Sequence, residues 1–569
     1  MKHGLFRIHT AGVHAAHGRA LARATRDDVV RRLMSRDPSP LASDAKVRAL
    51  IKNRLGWVDS ASMMKRAVPA IERFTDGVFR DGICHVILMG MGGSSLCPEV
   101  FSLTFGRHDR VKTFHVLDST DPAAVKKVLR SIDPRKSLGI VASKSGGTVE
   151  TRSQEAILLQ AFRDAGVANP GRHMAAITDK GSSLESWAKK NAYRAVFINP
   201  SDIGGRFSAL SYFGLVPGAF TGLDLRALLD YALTMQQVLI ERDGETNPAL
   251  VLGTIMAASA KAGRDKLTFL ASRACTPFVP WLEQLIAEST GKKKKGVVPI
   301  EGEPVYAASR YGADRLFVTL RLNSERPVIS AAQEKALSRS GAPVVEIVLR
   351  DRHELGGQFL LWEAATAVAG YHFGINPFDE PNVTESKDNT NQLLAEYVQS
   401  GALPFPDPVG SFGKFSVLLC DGKKRTRPSG KSNMRTMVRR FLDGIAAPEY
   451  VSILAYMSSS RSSEKALSEL RRKITGTYRV ATLRGYGPRY LHSIGQLYKG
   501  GPLAGRFIIL VRARYQRLRI PGAPYDLGTL ISAQALGDIQ ALRARRLPVL
   551  VIAVEGDLGG ALAELTRSI

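Results

Sequence analysis

At 569 residues the chain is too long for a single hydrophobic core, so two nested or sequential α/β domains with helical arms are the natural expectation. Its composition, 44% hydrophobic and 23% charged, is that of a soluble globular protein, and no apolar run approaches the roughly 18–20 residues that span a bilayer, which excludes a membrane-spanning protein. With 79 basic against 52 acidic residues the formal charge is +27, which implies an anionic partner: a phosphorylated metabolite, or the backbone of a nucleic acid. Cys84, Cys97, Cys275 and Cys420 are scattered, without metal-ligand or disulfide-framework spacing, and suit a reducing cytoplasm.

Residues 1–26 are rich in Arg and His and free of acids. A transit peptide shares that composition, and a plain N-terminal arm explains it equally well. From 44 to 80, apolar residues such as Val47, Leu50, Ile51 and Leu55 return at helical spacing, so 1–75 is expected to be a helical arm. Residues 76–225 then alternate strand and helix, with predicted strands at 85–89, 113–117, 139–142 and 175–177. Alternation of this kind indicates a parallel sheet covered on both faces, with ligands at the C-terminal ends of its strands. A second series, 226–400, carries strands at 266–270, 317–320 and 344–348 and a long helix at about 357–373.

Residues 401–447 form a basic, Pro/Gly-rich connection. Its densest stretch, Lys423 to Arg427 through Arg440, holds Pro428 and Gly430 without interleaved aromatics, and is expected to be a solvated loop, an RNA or acidic-partner surface being the alternative. Strands at 450–456, 506–511 and 548–554 follow in 448–569 and are expected to complete the second sheet.

Two turns of the first domain suit an anion. Gly90-Met91-Gly92-Gly93-Ser94-Ser95 lies between strand and helix, where glycines let N–H groups converge at a positive helix end beside serine hydroxyls. A dinucleotide turn, with Asp118 as ribose-binding acid, competes with the phosphate reading but lacks the third glycine of its fingerprint. A structural tight turn also fits. Ser143-Lys144-Ser145-Gly146-Gly147-Thr148 repeats the arrangement with three hydroxyls and a lysine, suiting a compact monophosphate, although helix caps alone use the same residues. In a third segment, Glu288 lies seven residues after Trp281 and three after Leu285, so it shares their apolar helical face and should point inward. Such a carboxylate gains proton affinity, as a base acting on a carbon acid requires. Its alternative is a structural ion pair with one of the lysines at 292–295.

These segments, with Gly204-Gly205-Arg206-Phe207-Ser208, Glu288-Ser289-Thr290-Gly291-Lys292, Asn376-Pro377-Phe378-Asp379 through Lys387, and Leu491-His492-Ser493-Ile494-Gly495-Gln496, resemble the sugar isomerase (SIS) domains of glucose-6-phosphate isomerases. The likeness covers about residues 85–505 in patches and is strongest to the isomerase half of bifunctional transaldolase/glucose-6-phosphate isomerases. It implies two three-layer αβα SIS domains with parallel sheets plus N- and C-terminal helical arms. The reaction implied is cofactor-free interconversion of glucose 6-phosphate and fructose 6-phosphate through a cis-enediol, in a cytoplasmic homodimer that uses neither membrane nor nucleic acid. In this resemblance Glu288 moves the proton between C1 and C2, Arg206 stabilises the enediolate, and His492 and Lys387 open the ring. Gly93, Ser94, Ser143, Lys144, Ser145 and Thr148 match the phosphate site. A dual phosphoglucose/phosphomannose isomerase and a non-catalytic sugar-phosphate-binding protein are the alternatives. Two departures stand out: Glu380 occupies a position where many relatives carry glutamine, and the His motif follows Lys387 instead of preceding it.

Overall fold

In the computed structural model, which describes residues 6–421 and 433–569 except the side chains of Val383 and Thr384, three separate sheets carry the chain. The first is all parallel, in the order Thr113–Leu117, His85–Gly90, Ser137–Ala142, Met174–Asp179, Ala195–Asn199. Its central strands are buried throughout because helices cover both faces. His85–Gly90 has Thr113–Leu117 on one side and Ser137–Ala142 on the other, so chain order reverses there. That switch point sets the loops after His85–Gly90 and Ser137–Ala142 side by side.

The second sheet runs Phe6–His9, Val344–Leu349, Arg315–Leu322, Lys266–Ala271, Val298–Ile300, parallel except for its first strand. The expected N-terminal helical arm is therefore corrected at its start, since Phe6 pairs with Ile347 and its segment closes one sheet edge. The rest of that region is helical, at His14–Arg26, Val29–Met34, Ala45–Lys52 and Ser60–Arg80.

The late strands do not complete the second sheet. They form a third, in the order Gly410–Phe412, Phe415–Asp421, Val549–Val554, Gly505–Arg512, Tyr450–Ala455, Ala481–Tyr486. Val451, Ile453 and Ala455 point under the helices Arg461–Tyr478 and Leu558–Ser568, while Tyr450 and Leu454 point to the helix Leu527–Ala544. Apolar side chains on both faces need their own cover on both sides, which an added edge strand of the second sheet would not provide. The predicted C-terminal arm is one of these covering helices. Within the expected 401–447 connection lie two strands of this sheet and the helix Met434–Leu442, which carries Arg439 and Arg440; the basic stretch 423–427 falls outside the described residues. No helix among the described residues is long and apolar enough to cross a membrane.

Candidate active site

The two anion turns and the inward glutamate open onto one cavity of about 630 Å³ at the first sheet's switch point. Gly92 takes a positive φ of 57°, and a Cβ there would stand 2.6 Å from the carbonyl oxygen of His492. A Cβ at Gly93 would come within 1.9 Å of Gly205 O. The glycine pair is thus the place where backbone from the first turn, the Arg206 turn and the His492 segment converge. Ser94 lines the cavity, whereas Ser95 turns its hydroxyl back to Gly92 O at 3.1 Å.

In the second turn Ser143 Oγ and Thr148 Oγ1 stand 3.0 Å apart, and Gly146 N donates to Ser143 Oγ at 3.1 Å. Thr148 is the N-cap residue of the helix Val149–Asp164 but makes no side-chain cap bond, so its hydroxyl faces the cavity beside a helix end. Ser145 and Lys144 line the same wall. Lys144 Nζ is already engaged, donating to Asp179 Oδ2 at 2.6 Å and to Ser201 O at 2.8 Å. Arg54, between two N-terminal helices, and Lys180 bring further positive charge to the cavity, and neither stood out in the sequence.

Opposite the turns, the helix Val279–Thr290 is buried along nearly its whole length and presents Glu288 to the cavity. Burial pushes the Glu288 carboxyl up to about 8; Arg206 pulls against that, and Glu380 adds to it. The glutamate meets no lysine of the 292–295 run. Its ion pair is with Arg206, NH1 to Oε2 at 3.5 Å, while Lys292 bonds Asp379 Oδ1 at 2.8 Å and Asn376 O at 2.6 Å. The remaining Arg206 donors are taken by Ser289 Oγ at 2.8 Å, Glu380 Oε2 at 3.0 Å, Pro377 O at 2.7 Å and Asp379 O at 2.9 Å. Four of the five N–H donors of this guanidinium are hydrogen-bonded within the protein, so it is a fixed charge.

The segment between the third-sheet strands Ala481–Tyr486 and Gly505–Arg512 supplies His492. Arg489 reaches Glu99 Oε1 at 3.0 Å and Asp118 Oδ2 at 2.9 Å in the first domain, and Gln284 Nε2 donates to His492 O at 2.8 Å. Those contacts fix the backbone on both sides of the imidazole. His492 Nε2 then lies 2.9 Å from Glu150 Oε1, which also accepts from Gln534 Nε2 at 2.8 Å. Burial works against the charge on Glu150, but His492, a backbone hydrogen bond and Lys387 together hold the carboxyl below its ordinary range. Lys387, on the exposed side of the helix Val383–Ser400, completes the wall.

All ten predicted site residues therefore line one cavity. Asp118, the ribose acid of the dinucleotide alternative, does not: it is buried against Arg489. Besides Arg54 and Lys180, sequence reasoning missed Glu150. Its one signal was position, an acid two residues past the last hydroxyl of an anion turn, where repulsion needs a cation to offset it. Among the described residues no group of three or more His, Cys, Asp or Glu is arranged to hold a metal ion.

The phosphoglucose isomerase family model matches residues 58–303. The glucose-6-phosphate isomerase of Citrifermentans bemidjiense is 30% identical over 366 residues, 58% of this chain and 67% of the relative. This chain belongs to the glucose-6-phosphate isomerase family. The enzyme of that name from Cyanothece sp. is 31% identical over 56% of this chain and 66% of its own length. Among solved structures, a hypothetical protein from Thermus thermophilus is 25% identical with a TM-score of 0.59, over 68% of this chain and 100% of that one. A glucose-6-phosphate isomerase from Chlamydia trachomatis shares the fold, at 18% identity and a TM-score of 0.50, over 69% of this chain and 87% of that one. The chain spans 66% to 78% of the first curated relatives' lengths, and the family-model match ends before Lys387 and the third sheet.

Proposed function

We propose that this member of the glucose-6-phosphate isomerase family interconverts glucose 6-phosphate and fructose 6-phosphate by proton transfer through a cis-enediol. The observation that carries it is the placement of Glu288 across one cavity from two hydroxyl-lined turns. Ser94, Ser143, Ser145 and Thr148 take the phosphate, with Gly93 allowing its close approach, and Lys144, Arg54 and Lys180 supply the surrounding positive field. His492 and Lys387 serve the ring opening, in which the ring oxygen gains a proton and the anomeric hydroxyl loses one. Glu150 holds the imidazole in place.

In the open aldose, Glu288 removes the proton on C2, and the electron pair moves into the C1–C2 bond and onto O1. Arg206 stabilises that oxygen as a fixed charge. Glu288 returns its proton to C1 while the O2 hydroxyl proton passes to O1, so that C2 becomes the carbonyl and the ketose is left. A base of this kind works as the carboxylate, so kcat/KM should rise as pH passes about 8, the value to which Glu288 is raised.

Every group named lies on one chain, and the homodimer implied by the resemblance would place such sites near its interface. Four free thiols suit work in the cytoplasm. The test is a coupled assay on the purified chain, with exchange of the C2 hydrogen followed in D2O. Binding of the sugar phosphate without isomerisation or exchange would end this reading. Turnover of mannose 6-phosphate in the same assay measures selectivity at C2.

A further inference from the structure

Glu380 is an acid in the cavity wall that neither the phosphate nor the proton transfer calls for, and it stands among groups that leave it little freedom. The turn Asn376–Glu380 is held on several sides. Arg206 NH2 donates to Pro377 O at 2.7 Å and to Asp379 O at 2.9 Å. Lys292 Nζ bonds Asn376 O at 2.6 Å and Asp379 Oδ1 at 2.8 Å, and the Phe378 ring packs 5.0 Å from that of Phe207. From this anchored turn Glu380 Oε2 reaches Arg206 NH1 at 3.0 Å, the same nitrogen that Glu288 Oε2 meets at 3.5 Å. Two carboxylates thus share one guanidinium nitrogen, and the closer contact belongs to the one that is 48% exposed rather than to the buried one.

We propose that Glu380 is a positioning residue for the isomerisation: by taking the near side of Arg206 it keeps Glu288 out of a tight ion pair and so free to give and accept a proton. This rests on the function proposed above. A carboxylate held tightly by arginine is a poor base, because its charge is already stabilised. With Arg206 largely offset by Glu380, the Glu288 proton is retained near neutral pH and can be returned to the substrate. The charged groups facing Glu288 are Arg206 from the 204–208 turn, Lys292 beyond its own helix, itself paired with Asp379, and Glu380 from the 376–380 turn; Gln284 is its polar neighbour on the helix, and Lys387 and His492 line the same cavity from farther elements. Burial and the neighbouring Arg206 bring Lys292 down to about 7, so it adds less positive charge than an ordinary lysine.

Glu380→Gln keeps the hydrogen bond to Arg206 and removes only the charge. Its kcat/KM profile should have an acid limb displaced to lower pH by about one unit, a tenfold change in proton affinity, with a kcat plateau several-fold below that of the unaltered chain. Glu380→Asp, which keeps the charge, should hold the limb near its original place. Carbon-13 NMR of labelled glutamate in the substrate-free protein, with the Glu288 resonance assigned by Glu288→Gln, reads the same displacement without turnover. A purely structural Glu380 would move neither. An acid limb and a Glu288 titration in Glu380→Gln that superpose on those of the unaltered chain would overturn the proposal. Absence of isomerase activity in the unaltered chain overturns the functional reading instead, with the NMR titration still deciding the Glu380–Glu288 coupling.

Discussion

The two halves of the cavity are built in different ways. The phosphate half is local: each turn connects a strand and helix consecutive in sequence, and Ser143, Ser145 and Thr148 lie within six residues. The proton-transfer half is assembled from remote pieces: Arg206 after the first sheet's last strand, Glu288 on the helix Val279–Thr290, Glu380 and Lys387 beyond the second sheet, and His492 between strands of the third. A turn can preform its hydrogen-bond donors by backbone geometry alone, whereas proton affinity depends on burial and on charges that only the completed fold brings together. The local half should therefore affect binding when altered, and the assembled half should affect turnover.

The largest expected effect is in the assembled half. Glu288→Gln should lower kcat by about 10³-fold with KM close to unchanged, because the amide fills the same space and cannot take the C2 proton. Exchange retained in D2O would mean that another group is the base. Next, Glu150→Gln should lower kcat by about 10²-fold on the cyclic substrate by removing the carboxylate that orients His492. Equal loss when transfer is measured on the open-chain form would place Glu150 outside ring opening. Ser143→Ala with Thr148→Ala should instead raise KM about 5- to 10-fold while leaving kcat nearly intact, since two hydroxyls that bind the phosphate contribute alike to ground and transition states. A fall in kcat of that size would show that the two halves are coupled.

The smallest effect comes from a buried carboxyl outside the cavity. Glu363 sits in the helix Leu355–Phe373 at 1% exposure, and its Oε1 has no hydrogen-bond partner. Burial alone raises its carboxyl well above the ordinary 4.5, so it stays protonated in the fold while the unfolded chain ionises. The stability this lends is complete at pH below the unfolded value and is lost as pH climbs toward the folded one. Glu363→Gln should remove that loss and raise Tm at pH 8 by about 2 °C, with little change at pH 5 and none in kcat. The same pH-dependent fall in Tm persisting in the variant would move its origin to other buried acids, of which Glu283, pushed up to about 8 by burial, is the next to replace.

The inward face of Glu288 was legible because the spacing from Trp281 and Leu285 encodes it in one helix, and both turns were legible as glycine and hydroxyl clusters between strand and helix. The partner of Glu288 was not: proximity to the 292–295 lysines suggested one of them, and the fold supplied Arg206 from 82 positions upstream. Sheet membership was equally hidden. The strand Tyr450–Ala455 is buried on both faces, and nothing in its near-continuous apolar run says which sheet it joins. Short edge strands such as Val298–Ile300 and Phe6–His9 were missed because three or four residues carry too little periodicity.

By itself, then, the sequence determined a parallel α/β protein with two glycine- and hydroxyl-rich turns between strand and helix and one inward glutamate, since these rest on residue type and spacing within single elements. The tertiary structure alone decided that a third sheet delivers His492, that Glu150 stands behind it, and that Glu380 shares Arg206 with Glu288. Those relations join residues between 82 and 342 positions apart, and they are set by packing and by the electrostatics of burial, which have no period along the chain.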